Sequence, residues 1–230
     1  MLLLKCIFIL NAASAIAFGL INILKLTYGI KTLEMDMVAS TQNSYLTPEE
    51  YLQLEDNSDR KHEYFAGEIF AMAGATDIHV TIALNIAILL RNHLRGSGCR
   101  VYISDMKVRI EAKNRFFYPD VMVTCEIKDR ENSTYKEFPR LIIEVLSDST
   151  EAFDRGDKFA DYQSIPSLEE YVLINTKKAR IECFRRADNG MWLLQFYELD
   201  KINFALTSVE FEAKIEEVYQ EVDFSSEEKE

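Results

Sequence analysis

Apolar positions along this chain change their spacing repeatedly, and each change marks a different kind of element. Thr47-Pro48-Glu49-Glu50 supplies a capping threonine, a first-turn proline and a glutamate three residues after the cap, which predicts a short helix through Tyr51 and Leu54. Glu63-Tyr64-Phe65 and Glu68-Ile69-Phe70-Ala71-Met72 flank Ala66-Gly67, the pattern of a hairpin with a two-residue turn. Phe65 then stands opposite Glu68 and Glu63 opposite Phe70, so both glutamates share one face. Val80, Ala83, Leu84, Ala87, Ile88 and Leu94 recur at helical spacing and predict a long helix ending at Gly96. From there the period drops to two. Val101 to Ile103, Lys107 to Glu111 and Phe117 to Val123 read as strands, and Arg140 to Leu146 as a nearly unbroken apolar strand buried on both faces. A helix over Asp154 to Gln163 stops before Pro166, and Tyr171 to Ile174, Arg180 to Phe184 and Trp192 to Tyr197 give three more strands. Asp188-Asn189-Gly190 turns the last pair. Helices on either side of a run of strands with a buried central strand describe an α/β (α+β) domain.

Composition narrows this picture in two places. The chain has 230 residues, 48% of them apolar, enough to bury a full core in one domain with appendages. Its net charge of −12 argues against a broad basic face for nucleic acid, so any DNA contact must be local or mediated by a cation. The domain proper is expected over residues 45–200, with a C-terminal extension at 201–230 whose acidic tail, Ser225 to Glu230, reads as solvated and disordered. Residues 1–34 form an apolar N-terminal extension: Cys6 to Leu24 are uncharged, long enough for a membrane anchor, and Ala12-Ala13-Ser14-Ala15 resembles an export signal. A third reading, a translated upstream stretch before a start at Met35 or Met37, suits the polar lead-in that follows. It leaves a cytoplasmic protein. Cys6, Cys99, Cys125 and Cys183 are scattered without metal-ligand spacing, which fits reduced, buried thiols better than zinc or a disulfide framework.

The candidate chemistry rests on two acids set 24 positions apart in apolar surroundings. Asp120 lies in Phe117-Tyr118-Pro119-Asp120-Val121-Met122-Val123, and Glu144 in Leu141-Ile142-Ile143-Glu144-Val145-Leu146. An ionised carboxylate in such a strand is costly unless it is paired or binds a metal. If the two strands are neighbours, both acids reach one hard cation, for which oxygen ligands at about 2.0–2.1 Å suit magnesium. A cation held there can activate water and stabilise charge on a phosphoryl oxygen.

At these residues the chain resembles the PD-(D/E)xK nuclease superfamily, and more closely the Uma2 family, also called DUF820. The matching stretches are Tyr45 to Leu52, Glu63 through Gly67-Glu68, His79, Pro119-Asp120-Val121, Glu144-Val145-Leu146-Ser147 and Asp154-Arg155-Gly156-Asp157-Lys158 with Tyr162. The resemblance implies a restriction-endonuclease-like core, a mixed central sheet flanked by helices, acting as an Mg2+- (or Mn2+-) dependent endonuclease on DNA. It further implies that Asp120, Glu144 and the Val145 carbonyl hold the metal. The lysine usual two residues after the glutamate is replaced by Leu146, and Lys158 on the next helix is the natural substitute, orienting water or stabilising the phosphate. The competing reading from the same departure is a catalytically silent member that binds nucleic acid or a protein partner. A homodimer is common among enzymes that cut both strands, but nothing in the sequence marks an interface.

Plainer roles stand beside each of these. Asp120 can end a strand by bonding local backbone, and Glu144 can pair with Arg140 or Lys107. Lys158, among Asp154, Asp157 and Asp161, reads without the family as a surface residue. His79 can contact substrate or metal, though a lone histidine is more often a polar cap or surface residue, and Glu63 and Glu68 can contribute a third acid from the hairpin, though edge-strand solubility accounts for them as well. Phe116, Phe117 and Tyr118 read as core, and Lys177-Lys178 and Arg185-Arg186 as hairpin punctuation.

Overall fold

The computed structural model describes residues 45–199 and 203–224. The expected anchor, signal or upstream stretch and the acidic tail lie outside those residues. Among the described residues no helix is long and apolar enough to cross a membrane.

In chain order the elements are α1 (Pro48–Glu55), β1 (His62–Phe65), β2 (Glu68–Ala71), α2 (Asp77–His93), β3 (Arg100–Ile103), β4 (Lys107–Ile110), β5 (Arg115–Phe117), β6 (Val121–Thr124), α3 (Lys128–Glu131), β7 (Tyr135–Lys136), β8 (Pro139–Val145), α4 (Glu151–Arg155), α5 (Asp157–Tyr162), β9 (Glu170–Ile174), β10 (Arg180–Arg186), β11 (Trp192–Glu198), β12 (Asn203–Leu206), β13 (Phe211–Lys214) and α6 (Ile215–Val218). The architecture is mixed α+β, as the pattern of apolar residues predicts. α1 starts with the full capping box, Thr47 and Glu50 bonding each other's backbone. The β1–β2 hairpin has the expected register, Glu63 opposite Phe70 and Phe65 opposite Glu68.

A six-stranded sheet in the order β11-β10-β9-β8-β6-β3 carries the core. It is mixed, because β8 and β9 run parallel while the other pairs are antiparallel. A parallel neighbour requires a crossover, and α4 and α5 supply it between β8 and β9. β8 is buried on both faces, so its side chains alternate between two apolar layers. Leu141, Ile143 and Val145 meet α2 and the C-terminal hairpin, while Ile142 and Leu146 meet α5 and the five-stranded sheet β2-β1-β5-β4-β7. Residues after 202 complete the first layer through Phe204, Leu206, Phe211, Ile215 and Val218. They are tied down by Glu170, whose buried carboxylate accepts hydrogen bonds from the backbone and hydroxyl groups of Thr207 and Ser208 and from Arg185.

Four sequence expectations need correction. Phe117 to Val123 is not one strand: β5 belongs to the five-stranded sheet and β6 to the six-stranded one, and Tyr118-Pro119-Asp120 crosses between them. Proline cannot donate to a ladder, so the crossing falls where the pairing ends. The helix expected over Asp154 to Gln163 breaks at Gly156 into α4 and α5. α2 buries Ile78, Ile82, Ile86 and Leu90 and leaves Val80, Leu84 and Ile88 outward. The helix is apolar on both sides, and periodicity alone does not say which side meets the sheet. Finally, Cys99 and Cys125 form a disulfide, leaving Cys183 as the buried free thiol among the described residues, its pKa pushed up to about 12 by burial. Arg100 pairs with Thr124 across β3 and β6, so the two cysteines face each other one step beyond the ladder.

Candidate active site

The register of β6 and β8 brings the two acids together. Val121 pairs with Ile143, so continuing the ladder by one residue sets Asp120 opposite Glu144. Each acid is held by the opposite strand's backbone: the Asp120 N–H donates to Glu144 Oε2 at 3.3 Å, and the N–H of Val145, next to Glu144, donates to Asp120 Oδ2 at 2.8 Å. Glu144 points to the layer beneath the five-stranded sheet, where its carboxylate is 3% exposed.

Lys158 enters from the first turn of α5, and its side chain is 8% exposed. Its Nζ lies 3.0 Å from Glu144 Oε1, 3.3 Å from Glu63 Oε1 and 3.4 Å from Asp154 Oδ1, with the Phe117 ring at 5.7 Å. The Tyr162 hydroxyl, one turn further along α5, donates to Glu144 Oε1 at 3.0 Å. From the other side, His79 in the first turn of α2 places Nε2 3.1 Å from Asp120 Oδ2. Its Nδ1 is buried without a hydrogen bond. Thr76 caps that helix by accepting from the His79 N–H, which fixes where the imidazole leaves the backbone.

Four carboxylates, those of Glu63, Asp120, Glu144 and Asp154, thus share one ammonium and one imidazole. Burial lifts the Glu144 carboxyl to about 8; Lys158 opposes that rise, while the charges of Asp120 and Asp154 add to it. Lys158 itself is driven well upward: burial works against its charge, but Glu144, Glu63 and Asp154 outweigh it. The two partners therefore point in different directions, the lysine to a fully ionised pair and the glutamate to a retained proton. Acids outnumber bases here, so the lysine stays charged and the surplus is met by a proton that Glu144 keeps. His79 is raised as well, since the Asp120 bond, with help from the Val145 carbonyl and Asp154, exceeds the effect of burial.

This surplus of negative charge suits a cation. Asp120 has a side chain 15% exposed and an oxygen, Oδ1, clear of the bonds that hold Oδ2. Among the described residues no three His, Cys, Asp or Glu side chains converge in ligand geometry. A cation placed here would draw on the carboxylates of Asp120 and Glu144 with backbone and water, a donor set of the kind magnesium takes.

The residues chosen from sequence, Asp120, Glu144, Val145 and Lys158, do come together. Other expectations for this region fail. Glu144 pairs with Lys158 and Tyr162 rather than with Arg140 or Lys107. Lys158 is buried rather than a surface residue, and of the two readings of Glu63 it is the acid beside the site, not edge-strand solubility, that matches its place 3.3 Å from Lys158 Nζ. Arg185 and Arg186 bind Glu170 and the carbonyls of Gln163 and Ile165, so they are structural members of β10 rather than punctuation. Spacing alone gives Asp154 no role, and His79, which reads first as a cap or surface residue, instead bonds Asp120. The capping threonine three residues before His79 was the available signal.

A crystal structure of a "putative nuclease belonging to DUF820" from Anabaena variabilis shares this fold, with a TM-score of 0.61 at 15% identity over 78% of this chain and 98% of that one. Residues 48–216 match the Uma2 family, described as "Putative restriction endonuclease", and the chain belongs to that family. Two uncharacterized proteins of Synechocystis sp. are similar to it. One is 38% identical over 179 residues, covering 78% of this chain and 94% of the relative; the other is 39% identical over 162 residues, covering 70% and 90%.

Proposed function

We propose that this protein is a magnesium-dependent endonuclease that hydrolyses DNA phosphodiester bonds, with manganese as an alternative cation. The observation that carries the reading is the meeting of Lys158 and Glu144 at 3.0 Å, from different elements, beside Asp120. Leu146 fills the position two residues after the glutamate, and Lys158 supplies from α5 the ammonium that the strand lacks. Asp120, Glu144 and the Val145 carbonyl would hold the cation, which when bound stabilises phosphoryl charge and acidifies coordinated water. Lys158 places fixed positive charge where the transferring phosphoryl oxygens gain electron density, or orients the attacking water. His79 holds the Asp120 carboxylate in place, and Tyr162 does the same for Glu144. An acidic surface favours this reading over one built on a basic face, because the backbone phosphates would be met by the cation and a few local groups. Cutting both strands would be served by a symmetric pair of chains.

A second reading draws on the burial of Lys158, bracketed by three carboxylates: a catalytically silent member that binds nucleic acid or a protein. Incubating the full chain with supercoiled plasmid and single-stranded DNA in Mg2+, Mn2+ or EDTA separates the two. Cation-dependent cleavage lost in both Asp120→Ala and Glu144→Ala is expected. Cleavage that persists in both variants refutes the assignment, and DNA binding without cleavage under any cation favours the silent protein.

A further inference from the structure

β3 is the outer strand of the six-stranded sheet, so among the described residues one side of its backbone has no partner strand. Val101 and Ile103 pair with Val123 and Val121, residues of the layer under α2, and therefore point to the α2 side. Between helix and strand edge lies a groove of about 480 Å³, lined by Ala87, Ile88 and Arg91 from α2 and by Val101, Tyr102 and Ile103 from β3. The apolar surface continues along the helix, where Val80, Leu84 and Ile88 are 53, 54 and 49% exposed at four-residue spacing.

Shape and charge choose the occupant. A concave surface does not fill a copy of itself across a twofold axis, which disfavours a second copy of this chain. The Arg91 side chain forms no ion pair or hydrogen bond among the described residues. Asp105 on the rim is engaged by Lys61 at 2.5 Å. In a chain of net charge −12, an arginine lining an apolar groove with its side chain engaged by no acid is complementary to an acid on the ligand. The apolar lining has little use for phosphates, so the chemistry favours a peptide over nucleic acid.

We propose that this groove binds an extended peptide segment of a partner protein by strand addition. The peptide backbone pairs with β3, alternate apolar side chains enter the groove, and an acidic side chain meets Arg91. Arg91 stands twelve residues beyond His79 on the same helix, about 18 Å at 1.5 Å per residue. The binding is thus separate from the acid cluster and does not rest on the nuclease reading.

The test uses fluorescein-labelled heptapeptides with Val or Ile at alternate positions and one Glu moved through the remaining ones, each with a Glu-to-Gln counterpart. Fluorescence polarisation with the full chain is expected to show micromolar binding by at least one glutamate peptide. Ile88→Asp, at an exposed position, abolishes it; Arg91→Glu weakens it at least about tenfold, as does the Gln peptide. Glu144→Gln leaves it unchanged. Hydrogen exchange at the Val101, Tyr102 and Ile103 amides slows only when the peptide is present. The proposal is overturned by failure of every peptide to bind at millimolar concentration, or by binding that Ile88→Asp leaves intact. It is equally overturned by protection of those amides in the chain alone, by a solution dimer that Ile88→Asp dissociates, or by DNA binding that Arg91→Glu removes without peptide binding.

Discussion

Replacing Glu144 by glutamine isolates the electrostatic cost of the acid while keeping its shape and its acceptor for Lys158 and Tyr162. The folded carboxyl, lifted from 4.5 to about 8 chiefly by burial, binds a proton that the unfolded chain has already lost between those values. The sign follows: a raised folded pKa contributes stability that is fully present below about pH 4.5 and is lost as pH rises through about 8. At about 1.36 kcal/mol per pKa unit the ceiling is roughly 5 kcal/mol, and sharing of the proton with Asp120 and Lys158 brings the expected loss to about 2–4 kcal/mol. Urea denaturation of the wild-type chain and Glu144→Gln, measured from pH 5 to pH 9 without divalent cations, should show the wild type losing that much relative to the variant. Added Mg2+ should recover part of the loss at pH 8 in the wild type only, because a cation replaces the proton. A difference between the two proteins that stays flat across the range would refute the reasoning. It would mean that the Lys158 pair outweighs burial and that Glu144 is ionised throughout.

Lys158→Met leaves the buried Glu144 and Asp154 and the half-buried Glu63 without their ammonium and should cost about 3–5 kcal/mol at pH 8, less at pH 5, by urea denaturation. Glu170→Ala strands Arg185 and the donors of Thr207 and Ser208, and a loss of about 3–5 kcal/mol is expected in thermal unfolding. Cys125→Ser opens the bridge to Cys99 across a separation of 26 residues and should cost about 3 kcal/mol, read by calorimetry with and without reductant.

The hairpin, the capped first helix and the buried strand β8 were legible because their patterns depend on local chemistry: a cap, a two-residue turn, an unbroken apolar run. Asp120 and Glu144 were legible as anomalies, charged residues where apolar ones prevail. What pairs with them is not, because Lys158 reaches Glu144, and Glu63 reaches Lys158, through tertiary packing that no spacing encodes. The departure at Leu146 pointed to a lysine elsewhere, and family resemblance rather than periodicity selected Lys158. The break after Phe117 escaped notice because the residues on both sides of Tyr118-Pro119-Asp120 are equally apolar, and two strands in different sheets look like one. The disulfide escaped for a similar reason: its cysteines meet through strand register, not through proximity in sequence.

The crossing between sheets at Tyr118-Pro119-Asp120 has a further effect during synthesis. Asp120 leaves the ribosome 24 residues before Glu144, and Lys158, from α5, follows after both. Until α5 has emerged and docked, the acids have neither their ammonium nor the two-sheet frame that holds them face to face. Chain order alone therefore keeps a half-made copy from assembling this cluster, and α5 is the last of its members to be delivered.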